Sequence, residues 1–558
     1  MQSRILSILA AVGCLVGLAG TSSAQTVWST DIAAGTTEEW CGAANPGPIV
    51  LEQPIFVLGR LTILPGCIVR GQPRTAAFDP FNPTAGAPGA LVVSQGGFLD
   101  AQGTPSNPII MTTAAPDVNA DGVADDSDGD PLNPVKDAWT PGDPFLDSDP
   151  VNNPLAPLAL DGSQNVQLWG GFVILGKAPT NLEDDFGLGY GVAPVEGLAV
   201  PGFPAAGAQY GGTEPHDCSG VIRHVSVRHA GDVVGQDTEL NGVTLGGVGD
   251  CTIFENIEVY TNQDDGIEYF GGTLNSKNLV VAYVGDDSLD LDQGYDGSIQ
   301  NVLTISTFFN QDDGTDFGNG GSGDAAGEWD GDDNPSNVNV GGSLDDADLI
   351  DRAFPLGAPA IYNMTALGNV TGGANPAVSP NSANRGIRMR NDFEGLLANS
   401  IIVNTGSQAC YTYEAADLAD NPNQTPVYAT SCSDTAPPDA GGLAAAARGD
   451  ADVLAGEVTC SGGACVNVLS ASSPLLVNED TFFEPKCAAA TVPGKLSGCK
   501  ASPIDPRPSG AASVGEIGEG IIPSGVGLDA SATYRGAFPA GQPLFTDGWT
   551  ALNAGGLL

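Results

Sequence analysis

The chain has 558 residues and a formal charge of −48, from 67 Asp and Glu against 19 Lys and Arg. Gly (77) and Pro (41) are abundant, only 15% of residues are charged, and 41% are apolar. That balance excludes a nucleic-acid binder, which phosphate would repel. It excludes a helical bundle, which so much Gly and Pro would break, and global disorder, because a real core can be buried. A large, loop-rich, acidic β protein remains.

Residues 1–24 read as a secretory signal. Arg4 is the basic n-region, an apolar stretch runs from Ile5 to about Gly20, and Ser22-Ser23-Ala24 places small residues before a cut after Ala24. Cys14, after Ala11-Val12-Gly13, is an alternative lipoprotein cleavage site, but the residues that follow it stay apolar. No later stretch reaches the roughly 18 apolar residues that span a bilayer, so no transmembrane segment is expected in the mature chain. Of the 11 Cys, ten remain after cleavage, an even number that in an exported chain points to disulfides. Clustering favours Cys41 with Cys67, Cys218 with Cys251, Cys410 with Cys432, Cys460 with Cys465 and Cys487 with Cys499. Spacing alone does not fix that connectivity, and the lack of a CxxC pair argues against a thiolate metal site.

Residues 25–115 are expected to hold an N-terminal cap and the first coils of a repeat. An acidic insertion follows at 116–160. Its sharpest feature runs from Asp117 to Asp128 and fits DxNxDGxxDxxD. Side-chain oxygens of Asp117, Asn119 and Asp121 would wrap a cation, Gly122 makes the turn, the Val123 carbonyl points inward, and Asp125 and Asp128 close the shell. The pattern resembles the calcium loops of thrombospondin type 3 repeats, and makes Ca²⁺ the expected cofactor. The bland reading is a solvated acidic loop.

Across 161–430 a short pattern recurs. Asn256, Asn278, Asn301, Asn363 and Asn399 each open a β-prone run, the first three 22 and 23 residues apart, and His224 opens an earlier copy. Runs of Val and Ile closed by Gly-Asp turns are strands, and a constant repeat of this size means a solenoid. Twenty-two residues at roughly 3.3 Å each give a perimeter near 70 Å, which suits a three-sided parallel β-helix. The Asn side chains are expected at an inward turn, bonded to the backbone of neighbouring coils. Residues 431–500 read as a Cys-rich insertion with one short helix near 441–454, and 501–558 as a C-terminal coil and cap.

The repeat carries an acidic column. Asp264-Asp265, Asp286-Asp287 and Asp312-Asp313 fall at similar places in successive coils, with Glu268, Asp290, Asp292 and Asp316 nearby. Carboxylates about 4.8 Å apart repel by roughly 1 kcal/mol in water and several-fold more near a protein surface. A bound cation, raised pKa values or turn hydrogen bonds must relieve them. The column is a candidate cation or glycan site; the plain alternative is a set of solvated turns. Arg388 and Arg390 share one face of a strand, to pair with the acids or to bind an acidic sugar. Strand alternation also puts His229 with Arg223 and His224 with Arg228, and a core or ladder role suits these His better than catalysis. No GxSxG, HExxH or phosphate-loop motif occurs.

Five segments then carry a resemblance: Leu168-Trp-Gly-Gly-Phe-Val-Ile-Leu-Gly-Lys-Ala178, Gln209-Tyr-Gly-Gly212, Ile222–Gly231, Glu239–Gly249 and Asp264–Gly272, with a tail of Tyr534–Phe538 and Gly548-Trp-Thr550. In this order they resemble a group of secreted bacterial right-handed β-helix proteins often labelled lipoproteins. The resemblance implies an all-β, right-handed parallel β-helix with loop insertions and disulfides, located outside the cell or on the outer face of a bacterial envelope. It brings no catalytic set. The Asp-Asp-Gly turns are more weakly similar to pectate lyases and polygalacturonases, but no Gly-His-Gly or Arg-x-Lys motif follows. The expected function is a calcium-binding structural or adhesin-like surface protein, with a polysaccharide or cell-envelope glycan as partner. The alternative is a polysaccharide lyase or glycoside hydrolase using the carboxylate column.

Overall fold

The computed structural model describes residues 25–77, 82, 84–119, 124–125, 135–150, 165–182, 187–188, 191–198, 203–204, 207–235, 238–306, 325–331, 357–368, 385–390, 393, 395–403, 411–413, 427–428, 431–433, 468–469, 476–478, 504–508 and 522–558. The strands of its two large sheets pair in parallel with strands one coil away, as a β-helix requires, and three small two-stranded pairs are antiparallel. One series of long strands stacks Gly220–Arg228, Ile253–Asn262, Asn275–Val284, Ser298–Ile305 and Ala360–Leu367. These long strands bend and supply two faces. The third face stacks Val243–Gly246, Ile267–Phe270, Leu289–Asp292, Ala325–Asp330 and Arg385–Arg390. Coiling begins early, since Thr26–Trp28 already pairs in parallel with Ile49–Leu51.

The repeated Asn marks the bend. Residues 220–223 of the strand Gly220–Arg228 pair with Phe98–Gln102, and residues 225–227 with Ile109–Thr113. Between them His224 has φ 49°, and Asn256, Asn278, Asn301, Asn363 and Asn399 take φ values of 55–59° at the same corner. Asn tolerates this left-handed backbone better than other residues with a side chain. His224 is thus the earlier copy of the Asn position. The hydrogen bonding differs from expectation. Asn278 Nδ2 donates to Asn256 Oδ1 at 3.0 Å and Asn301 Nδ2 to Asn278 Oδ1 at 2.8 Å. The ladder runs amide to amide because coils in register place each side chain over the next.

The bend also re-sorts the charged residues. Arg223 bonds Glu255 on the first face, Arg228 lies beside Ser226 on the outside of the second at 2.7 Å, and His229 starts the next corner with φ 61°. A left-handed residue breaks the period of two, so alternation across His224 fails.

Inside, like packs on like. Val225, Ile257, Leu279, Val302 and Met364 form one stack in register, all fully buried. Burying each such side chain contributes roughly 1.5–3 kcal/mol. The glycines of Trp169-Gly170-Gly171 let the strand Phe172–Leu175 enter the third face, between Ala90–Val93 and Val243–Gly246: Gly171 has φ 82°, and a Cβ there would meet the Asn241 carbonyl oxygen at 2.4 Å. The disulfides Cys41–Cys67 and Cys218–Cys251 are present. The other three expected pairs, and the helix near 441–454, fall outside what the structure describes.

The segment 522–558 lies along the flank of the solenoid. Gln300 exchanges two hydrogen bonds with the Asp529 backbone, Asn363 Nδ2 donates to the Tyr534 carbonyl at 2.6 Å, and Gly536 N–H donates to the Asn399 carbonyl at 2.8 Å. The tail then returns to Glu258, which accepts from the Ala551 and Leu552 amides. Along this path Ala537, Phe538, Ala551, Leu552 and Leu557 cover the apolar outside of the second face, formed by Val280, Ala282, Leu303, Ile305 and Leu367.

Candidate cation site on an acidic corner

The turn from the second face to the third is where the acids collect. Backbone bonds align it coil by coil: Gly242 N–H donates to the Asp265 carbonyl, and Gly266 N–H to the Asp287 carbonyl. Asn241, Asp265 and Asp287 therefore stack. The two members of each acidic pair do different jobs. Asp265 Oδ1 accepts the Asp287 N–H at 2.9 Å, and Asp287 Oδ1 accepts the Ala325 N–H at 2.6 Å. The second Asp of a pair thus ties its turn to the next coil, one of the forms of relief open to stacked carboxylates. Asp264 and Asp286, the first members, are half-buried and sit at the rim. Asp312 and Asp313 lie outside the described residues.

Past the turn, the third face continues the acid row in strict register. Its inward residues, Ile267, Tyr269, Leu289, Leu291 and Trp329, join the core. Its outward residues run Thr244, Glu268, Asp290, Glu328, Arg388, and beside them Gly246, Phe270, Asp292. The row ends in bases. Arg388 bonds Glu328 at 2.7 Å, and Arg390 bonds Glu328 at 2.5 Å and Asp330 at 2.6 Å. The two Arg therefore pair with acids, and this pairing engages Glu328 and Asp330.

Asp265, Glu268 and Asp290 have no such partner: no ion pair of the described residues includes them. Each offers a carboxylate oxygen within 4.8 Å of the others, and Asp264, Asp265 and Asp286 form a second such group at the rim. All three inner acids are at most 9% exposed. Burial first, and neighbouring carboxylates second, hold their carboxyls well above the usual carboxylate range. Glu268 also accepts from the Asn241 amide. Nearby, Asn181 Nδ2 donates to the Gly331 carbonyl at 2.8 Å and Tyr210 Oη to Gln293 Oε1 at 2.8 Å. These bonds place 178–182 and 207–212 against the C-terminal ends of the acidic strands, and the inner part of the column is buried among the described residues.

Glu268 and Asp290 were visible in sequence as added charge, not as part of the column. The signal was their offset: each lies four residues after its Asp pair begins, so the same 22-residue step relates them.

The loop insertion leaves the solenoid at this same corner, between Ile109–Thr113 and Phe172–Leu175. Of its sequence-predicted ligands, Asp117, Asn119 and Asp125 are described; Asp121, Val123 and Asp128 are not. Asp125 folds back on the loop's start, its Oδ2 accepting the Val118 N–H at 2.6 Å. The rest of the insertion is anchored to the coils. Arg70 pairs with Asp147 and stacks 4.0 Å over the Phe145 ring, and Gln72 and Trp139 exchange two hydrogen bonds. His229 is fully buried with Nδ1 on the Asn165 carbonyl at 2.8 Å, consistent with a core role.

Among the described residues no helix is long and apolar enough to cross a membrane. Neither the curated proteins nor the solved structures contain a match to this chain. One family model does match: that of the pectate-lyase-like β-helix domain, over residues 152–435, which is just over half of the chain and includes the acidic corner. With its parallel coils and three-faced register, the chain belongs to the pectate-lyase-like β-helix domain family.

Proposed function

We propose that this is a secreted or cell-surface β-helix protein, stabilised by calcium, with a structural or adhesin-like role toward a polysaccharide or cell-envelope glycan. The single observation that carries the reading is the acidic corner: a row of carboxylates on adjacent coils, most of them buried, too close together to stay charged without a counter-ion. The loop Asp117–Asp128 adds a calcium site of its own by ligand spacing. Calcium suits both places, since it takes six to eight oxygen ligands in flexible geometry. The signal segment at 1–24 and the two disulfides support export.

Melting with and without chelator tests it. Removing calcium with EDTA is expected to lower Tm by roughly five degrees, and calcium, not magnesium, is expected to restore it. A linked ligand at a hundred times its Kd contributes about 2.7 kcal/mol, so a smaller effect than a few degrees is hard to produce with two filled sites. An unchanged Tm would remove calcium as a stabilising ligand.

The family match and the half-buried Asp264 and Asp286 favour a second reading, a polysaccharide lyase or hydrolase working at the rim of the column. Release of unsaturated or reducing ends from a panel of neutral and acidic polysaccharides, with calcium present, is its test. No product on any of them would exclude it.

A further inference from the structure

The rim acids and the loop do not account for what lies beneath them. Asp290 is 9% exposed, and its Oδ1 has no hydrogen-bond partner. Asn241 is 2% exposed; its amide nitrogen serves Glu268, but its own Oδ1 is likewise unpartnered. A buried oxygen without a donor costs roughly 1–3 kcal/mol. Both stand beside the three carboxylates of Asp265, Glu268 and Asp290, whose oxygens approach within 4.8 Å. The nearest bases do not fill the gap, because Arg388 and Arg390 are drawn to Glu328 and Asp330 one coil further on.

We infer that Asp265, Glu268 and Asp290, with the Asn241 side-chain oxygen, form an interior site for one hard divalent cation, separate from the loop at 117–128. The inference rests on the calcium reading above and gives it a location inside the fold. Four oxygen donors and no nitrogen or sulfur select a calcium-type ion over zinc or copper. Asp265 then has two tasks. One oxygen holds the Asp287 N–H of the next coil, leaving the other for the ion. The cation would therefore tie three successive coils, through Asn241, Asp265 with Glu268, and Asp290.

The test counts ions on the full chain. Protein dialysed against calcium is desalted and its bound calcium measured by elemental analysis, for the parent and for Asp290→Asn, Glu268→Gln and Asp121→Ala. Asp290→Asn and Glu268→Gln keep shape and remove charge, and each is expected to bind one calcium fewer per chain than the parent. Asp121→Ala, in the loop, is expected to keep the interior ion, so that adding Asp290→Asn to it lowers the count by one more. An Asp290→Asn chain that folds, by circular dichroism, and holds the parent's calcium count overturns the site; should that variant fail to fold, the calcium count of Glu268→Gln decides in the same way. A parent that binds no calcium overturns the function proposed above together with this site. A parent whose calcium is lost entirely in Asp121→Ala overturns the interior site alone.

Discussion

At the scale of single residues, backbone conformation explains more than side-chain chemistry. Asn278 sits at φ 59° and both donates and accepts within the amide ladder. Asn278→Ala should lose the ladder bonds, about 1 kcal/mol, and strain the left-handed backbone by roughly 1–2 kcal/mol more. Asn278→Gly should recover the second part only. Denaturation midpoints are therefore expected in the order parent, Gly, Ala; equal midpoints for Gly and Ala would show that the conformation does not matter. His229 supplies a pH dependence. Burial, opposed more weakly by Asp147 and the Asn165 carbonyl, lowers its pKa to about 4 against 6.5 in the unfolded chain. The unfolded state then takes up the proton first, so stability is lost as pH falls from about 6.5 to 4. Arg228 and Arg70 also face the ring and oppose its protonation. His229→Gln should flatten the part of the acid limb, in Tm against pH, that His229 provides.

At the scale of elements, the tail is the informative piece. The outside of the second face from Val280 to Val403 is apolar apart from Thr365, whose hydroxyl accepts the Ala537 N–H of the tail, unlike the mixed, polar-out pattern of a solvated strand. Such a face on a solenoid invites association. The tail covers it, held at one end by Glu258 and at the other by Asn363 and Asn399. Ending the chain before 522 is expected to uncover this face. Strong binding of an apolar dye and larger species on gel filtration should follow, with the strand signal in circular dichroism retained. A monomeric truncated chain with no dye binding would show that the tail is not a cover. The tail motif Tyr534–Phe538 and Gly548–Thr550 thus has a structural meaning: Gly536 turns into the Asn ladder, Phe538 packs on the face, and Thr550 caps the short helix Ala551–Ala554.

At the scale of the whole molecule, the charge of −48 is organised by coil geometry. Part of it is gathered on one corner and the strand beside it, from the loop insertion to Arg390. Arginines neutralise the far end of that row, turn amides engage Asp265 and Asp287, and Asp265, Glu268 and Asp290 face one another with no arginine between them. Solvent-exposed acids remain elsewhere and repel through water, so salt should raise Tm modestly in the presence or absence of calcium. The chelator effect described above differs in kind: a buried site is screened little, and its loss should persist in high salt.

How much of this was legible follows from what each feature depends on. The β-helix was readable because a 22-residue step, an Asn at each bend and Asp-Asp turns are local signals repeated in register. Two disulfides were readable because their Cys lie about one coil apart. The direction of the ladder bonds was not, nor the faces of the residues around His224, because both depend on a left-handed bend that simple alternation ignores. The interior site was half legible: the charge of Glu268 and Asp290 was plain, but that they are buried against Asp265 and Asn241 was not. By itself the sequence determined the coil, its period and the corner that carries the acids, since these arise from chain-local propensity and repetition. Only the tertiary structure decided which acids are tied by amides, which by arginines and which are left facing each other, because neighbouring coils, and the segments folded over them, set burial and partners.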